Sequence, residues 1–146
     1  MNQKHVPNLE LCQELDRLCK EKGIVVPETE FVWAIVQEHT FTAIHLWKRR
    51  GKDMYHTHEG SIISKPTAKL IPAPLVSEQG EWLPNERRDK LAFFSGLAIN
   101  GWFCEVKNYR VMPYERFHVI LQEDTEANAR QKMINYLIAE GIITKL

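Results

Sequence analysis

Apolar residues recur along the chain with two different periods, and the places where the period changes mark its elements. Over residues 9–22, LELCQELDRLCKEK, Leu11, Leu15, Leu18 and Cys19 fall on one stripe, which predicts a surface helix laid on a core. Asn8 is placed to cap its start and Gly23 to end it. Pro27 forces an extended lead into EFVWAIVQ (30–37), a continuous apolar run holding Phe31, Val32, Trp33, Ile35 and Val36 that predicts a strand buried on both faces. Residues 42–49, TAIHLWKR, predict a second strand, and the short gap from Glu38 to Phe41 makes an antiparallel hairpin the economical connection.

The pattern breaks over residues 50–74, RGKDMYHTHEGSIISKPTAKLIPAP, where Gly51, Gly60, Pro66, Pro72 and Pro74 interrupt any long element. MYHTH and SIIS each suit a short strand, so this stretch reads either as a mobile loop or as the edge of a sheet. Pro74 at a first helical position, Trp82 and Leu83 at helical spacing from Leu75 and Val76, and Pro84 as the stop predict a short helix over about 74–83. Asn100-Gly101 between LAFFSGLAI and WFCEVK predicts a β-hairpin with a type I′ turn. It sets Trp102, Cys104 and Val106 on one face, and Phe103, Glu105 and Lys107 on the other. RFHVILQ (116–122) supplies a third strand after the loop containing Pro113. The last helix is predicted over 124–141, with Asp124 or Thr125 as cap, Glu126 at the positive end of the dipole and Gly141 as stop. Ala127, Met133, Ile134, Leu137 and Ile138 form its buried stripe. The fold class expected is α+β, one domain over residues 1–146: an antiparallel meander with N-terminal, short middle and C-terminal helices packed on it, strand order open.

Composition narrows the function classes. A chain of 146 residues buries about 68–70% of the surface it exposes when unfolded, enough for a core without disulfides or a structural metal. Nineteen Lys+Arg balance nineteen Asp+Glu, and residues 1–73 carry ten basic against nine acidic side chains. Such local balance argues against a protein that holds nucleic acid or anionic lipid by bulk charge. No apolar run suits a secretory signal or a membrane span. The cysteines, Cys12, Cys19 and Cys104, are an odd number with no CxxC spacing, which fits small buried residues in a reducing cytoplasm.

Pro72-Ala73-Pro74, then Ser77-Glu78 and Glu81-Trp82-Leu83-Pro84, then a Gly-Trp strand and Asp124-Thr125-Glu126-Ala127-Asn128-Ala129-Arg130 leading into MINYLIAEGII, form a recurring pattern. Over about residues 71–143 the chain resembles a group of small bacterial proteins associated with phages and mobile elements, which share such a Pro-led helix ending in WL and such a cap on the last helix. That group has no assigned activity, so the resemblance implies an accessory role and no catalytic residue.

Two stretches could carry chemistry. In Tyr55-His56-Thr57-His58-Glu59, an extended strand projects His56 and His58 to one face, the spacing of adjacent ligands to Zn²⁺ or Fe²⁺. His39, His45 or His118 is then a distant third ligand, and Glu59 the general base on a metal-bound water. The second stretch is Trp47-Lys48-Arg49-Arg50-Gly51-Lys52, where Lys48, Arg49, Arg50 and Lys52 stand beside Trp47 and Tyr55, cations and rings that could touch phosphates and stack a base. A solvated hairpin tip is the plainer reading of both. GxSxG, Walker-type, HExxH and GxGxxG motifs are all missing. A Cys104–His118 pair is formally available, although Cys104 shares the face of Trp102 and Val106 and so reads as an inert thiol. Three functions follow. The first is a non-enzymatic cytoplasmic accessory or interaction protein that uses no cofactor, membrane or nucleic acid, with a protein partner or a homodimer covering a sheet edge. The alternatives are a metal-binding protein or metal-dependent enzyme using His56 and His58, and a weak nucleic-acid module using Lys48 to Lys52.

Overall fold

A computed structural model of the chain describes residues 5–57, 59–84, 91–108 and 118–146. Helix α1 spans Leu9–Lys22, with the Asn8 side chain accepting from the Leu11 N–H and Gly23 closing the helix in the left-handed conformation. Its buried residues are Cys12, Leu15, Leu18 and Cys19. Five strands follow, β1 (Phe31–Gln37), β2 (Thr42–Gly51), β3 (Met54–His56), β4 (Ile62–Ser64) and β5 (Lys69–Ala73). Helix α2 covers Val76–Trp82, strands β6 (Ala92–Ala98), β7 (Gly101–Lys107) and β8 (His118–Glu123) come next, and helix α3 (Glu126–Ala139) ends the series. The α+β class holds, with helices at the N-terminus, middle and C-terminus.

The meander divides into two antiparallel sheets, one in the order β4-β3-β2-β1-β5 and one in the order β6-β7-β8. The irregular stretch is thus sheet edge, with β3 and β4 where MYHTH and SIIS stand. β5 is a strand the proline-rich sequence concealed: Pro72 lacks an N–H and Pro66 sits just upstream, yet residues 69–73 pair with β1. The α2 boundaries also move. Leu75 is the N-cap, so Pro74 lies before the helix, and the Glu78 carboxylate accepts from the N–H of Leu75 at 2.6 Å and of Glu30 at 2.9 Å.

One face of the larger sheet meets α1, where Val6 and Cys12 pack with Leu46, Ile71 and Ala73, and the Trp33 indole donates to the Pro7 carbonyl at 3.0 Å. On the other face Val32, Ala34, Trp47 and Tyr55 form a second cluster with Ile63 of β4 and Leu70 of β5. Among the described residues both outer strands contribute to that cluster and no helix does, so the sheet curls to bury this face against itself. The main core lies between α1, α3 and the small sheet, where Leu15 and Leu18 meet Met133, Ile134, Leu137 and Ile138 above Cys104 and Val106. Helix α1 therefore bridges the two sheets.

The β6–β7 hairpin forms as predicted, but its turn differs. Ala98 pairs with Gly101, so Ile99 and Asn100 are the central residues, and neither has a positive φ. A type I′ turn centred on Asn100-Gly101 is excluded. Gly101 instead serves a close approach: at φ 142°, a Cβ there would stand 2.5 Å from the Glu123 carbonyl oxygen.

Candidate functional site

The antiparallel register of β2 and β3 places the basic run and the histidine strand side by side, Lys48 opposite His56 and Arg49 opposite Tyr55. Alternation along β2 then sends Lys48 and Arg50 to the face of His56, and Arg49 to the inside of the curl. Arg49 closes one end of that curl. Its Nε donates to the Thr29 carbonyl at 3.0 Å, its Nη1 donates to the Tyr55 hydroxyl at 3.1 Å, and its guanidinium lies 5.2 Å from the Tyr55 ring centroid. Glu28 stands 3.8 Å away. Lys48 pairs with Glu30 at 3.2 Å, while Lys52 is exposed in the turn between β2 and β3. Trp47 and Tyr55 are buried at 4% and 3% exposure, which removes both rings from any base-stacking surface. The curl of the sheet causes this, and alternation within a single strand does not reveal it.

His56 is engaged at both nitrogens. Nδ1 lies 3.0 Å from Arg50 Nη2, and Nε2 lies 2.9 Å from the Gly60 carbonyl oxygen. A guanidinium can only donate, so Nδ1 accepts and Nε2 carries the proton. A metal at Nδ1 would have to displace a cation. His58 lies outside the described residues, and Glu59 is exposed in the turn before β4. The three distant histidines are not gathered here. His39 sits in the β1–β2 turn, whose adjoining pair Gln37–Thr42 is six residues, about 20 Å, along β2 from Lys48. His45 has the opposite face of β2, and His118 belongs to the small sheet, 2.8 Å from Glu105. Among the described residues no group of three or more His, Cys, Asp or Glu is arranged to hold a metal ion.

The thiols are equally closed to chemistry. Burial pushes Cys12 up to about 12 from the ordinary 9.0, against a hydrogen bond from Trp33. Burial, with the Asp16 carboxylate adding to it, raises Cys19 to about 11. Cys104 goes to about 12, again chiefly through burial. The thiolate is the nucleophile, so all three resist alkylation in the folded chain at pH 8. Each folded value lies above the unfolded one, so the stability the thiols contribute is complete below about pH 9 and is lost as the pH climbs toward 11–12. Urea unfolding at pH 8 and pH 10 should show a drop of about 1 kcal/mol per thiol. A Cys12→Ala, Cys104→Ala variant should lose much of that dependence.

A third polar cluster escaped sequence reasoning. Ser95 on β6 donates to Glu126 at 2.7 Å, and Arg130, one turn along α3, donates to both at 2.9 and 2.8 Å. Arg130 Nη1 also donates to the Val76 carbonyl of α2 at 2.8 Å, and its guanidinium lies over the Phe93 ring. Gly80 keeps α2 close, since a Cβ there would sit 3.1 Å from Arg130 Nη1. Every partner is internal, so the cluster is a joint between β6, α2 and α3. The serine has a carboxylate but no imidazole to take its proton.

What stands open is the outer face of the small sheet. Alternation from the helix-facing Cys104 and Val106 puts Phe94 and Gly96 of β6, Phe103 and Glu105 of β7, and Ile120 of β8 on this face. The rings of Phe94 and Phe103 lie 5.7 Å apart and close over Gly96, where a Cβ would meet both at 3.2 Å. Phe94 is 59% exposed and Ile120 51%. At one end Glu105 pairs with His118 and, at 3.5 Å, with Lys107. The sequence signal was present in the Phe103, Glu105, Lys107 alternation, but whether a helix would cover that side was not.

No family model matches the chain, and neither a curated protein nor a solved structure matches it. Among the described residues no helix is long and apolar enough to cross a membrane.

Proposed function

We propose that the chain is a non-enzymatic interaction protein that holds a protein partner on the open face of the small sheet. The phage and mobile-element resemblance over residues 71–143 supports an accessory role, and three unpaired thiols suit a reducing cytoplasm as its place of work. One observation carries the reading. An antiparallel sheet with a solvated face normally turns polar residues outward, whereas this one turns out Phe94, Phe103 and Ile120. A protein fits better than a nucleic acid because Lys107 on this face is already paired with the Glu105 carboxylate, which also lies within hydrogen-bond distance of His118.

The test is in-cell crosslinking of the native chain and of a Phe103→Thr, Ile120→Thr variant, two changes that keep strand propensity. The native chain is expected to crosslink to one other protein, and the variant, folded to the same far-UV spectrum, to lose it. Identical crosslinks for both chains, or none to another protein, would overturn the reading.

A further inference from the structure

We propose that two copies of this chain associate through the free edge of β6, pairing that strand antiparallel with itself about a two-fold axis at Ser95. The inference rests on the reading of the chain as an interaction protein, but it uses the strand edge where that reading uses the sheet face.

Edge strands expose unpaired N–H and C=O groups, and proteins blunt them by shortness, proline, charge or cover. Among the described residues the two sheets have four edges, and three of them are blunted. β4 has only Ile62–Ser64, and β5 carries Lys69 and Pro72 with α1 alongside. β8 carries His118 and Glu123, the latter bridged to Lys132 at 3.0 Å. β6 reads Ala-Phe-Phe-Ser-Gly-Leu-Ala, seven residues without a charge or a proline and without a register shift against β7. Among the described residues its backbone is bonded only to β7.

The occupant is argued from the strand's own symmetry. An isologous contact must be self-complementary. With Ser95 on the axis, Phe94 faces Gly96 of the second copy, Phe93 faces Leu97 and Ala92 faces Ala98. Directly opposed residues share a face, so a large side chain meets a small one on the open face, and apolar meets apolar on the helix face. Leu97, 72% exposed, and Phe94, 59% exposed, are the side chains this pairing would cover. On the helix face the axis brings together two Ser95 hydroxyls, each already bonded to Glu126 and Arg130, and that carboxylate and guanidinium pair with each other at 2.8 Å. A seven-residue strand extends over about 24 Å, a contact near or below the ~1,200 Å² lower bound of stable complexes, so dimerisation depends on concentration. The joined sheet has six strands and sets two Phe94–Phe103 faces side by side.

Sedimentation of the full chain from about 1 µM to about 500 µM tests this, with hydrogen exchange at both ends of the range. Mass is expected to rise from 17.1 kDa toward twice that value, and the amides of residues 93–97 to gain protection as it does. Leu97→Lys, an exposed position, is expected to weaken the dimer about tenfold or more while keeping the native melting temperature. A native chain that stays at 17.1 kDa throughout, a Leu97→Lys chain that dimerises as the native one does, or protection that rises at 118–123 instead would each overturn the proposal. The Phe103→Thr, Ile120→Thr variant should still dimerise, so loss of the partner and loss of the dimer are separate results.

Discussion

Replacing Gln131 with leucine is expected to lower the unfolding free energy by about 2–5 kcal/mol, because it breaks a chain of buried amides that ties the three helices together. Gln131 has no exposed surface, Gln79 has none either, and Asn135 has 2%. Gln79 Nε2 donates to the Ala127 carbonyl at 2.9 Å and to Gln131 Oε1 at 3.1 Å. Gln131 Nε2 donates to Asn135 Oδ1 at 2.9 Å, and Asn135 Nδ2 donates to the Leu11 carbonyl at 3.0 Å. Ala127, Gln131 and Asn135 are spaced by four on α3, so the series runs along one helix face from α2 to α1. Leucine at 131 leaves an N–H of Gln79 and the oxygen of Asn135 buried without partners. Gln79 cannot compensate by flipping, since that would aim its Oε1, which has no partner among the described residues, at the Ala127 carbonyl. Adding Gln79→Leu removes one orphan and is expected to recover part of the loss. Urea denaturation of the single and double variants checks the argument, and simply additive losses would contradict it.

The second large effect is expected at Gly101. Alanine there places a Cβ 2.5 Å from the Glu123 carbonyl oxygen at a φ of 142° that side chains avoid, so the β7–β8 ladder must shift. A cost of about 3 kcal/mol is expected. Gly51, at the end of β2, is the control: nothing lies within 4 Å of a Cβ built there, and Gly51→Ala should change stability by no more than about 0.5 kcal/mol. Thermal melts of both variants decide the comparison. Equal shifts would mean that the close approach at Gly101 is not what the glycine is needed for.

Part of the fold is legible in the sequence alone. Asn8 and Gly23 bound α1 because a cap and a left-handed terminus are local requirements. The β1–β2 hairpin followed from two β-rich runs with a short gap, and Thr125 caps α3 by accepting from the Asn128 N–H. Local rules failed where a distant strand decided the outcome. The β6–β7 turn sits one residue earlier than Asn-Gly chemistry predicts, and Gly101 instead lies in β7 where the strand passes close to Glu123. Residues 69–73 became a strand because β1 offered them a partner. Gln131 and Asn135 lie outside the apolar stripe of α3, yet that helix has the small sheet on one side and α1 and α2 on the other, so its polar residues had to find each other.

The candidate site divides along the same line. Alternation within one strand places Phe103 away from Cys104, and the uncharged stretch AFFSGLA is visible in the sequence itself. Neither fact shows that, among the described residues, no helix covers Phe94 and β6 ends the sheet. The reverse happened around residues 45–60, where cations, rings and histidines adjacent in the chain look like one surface. Folding sent Trp47 and Tyr55 inward, gave Lys48 and Arg49 to glutamates, and set Arg50 against His56. By itself, then, the sequence determined the two long helices with their caps, the β1–β2 and β6–β7 hairpins and the side on which each of their residues lies, because those depend on neighbours within a few residues. Only the tertiary structure decided which sides are covered and which edges stay free, because burial is a property of what packs from elsewhere in the chain.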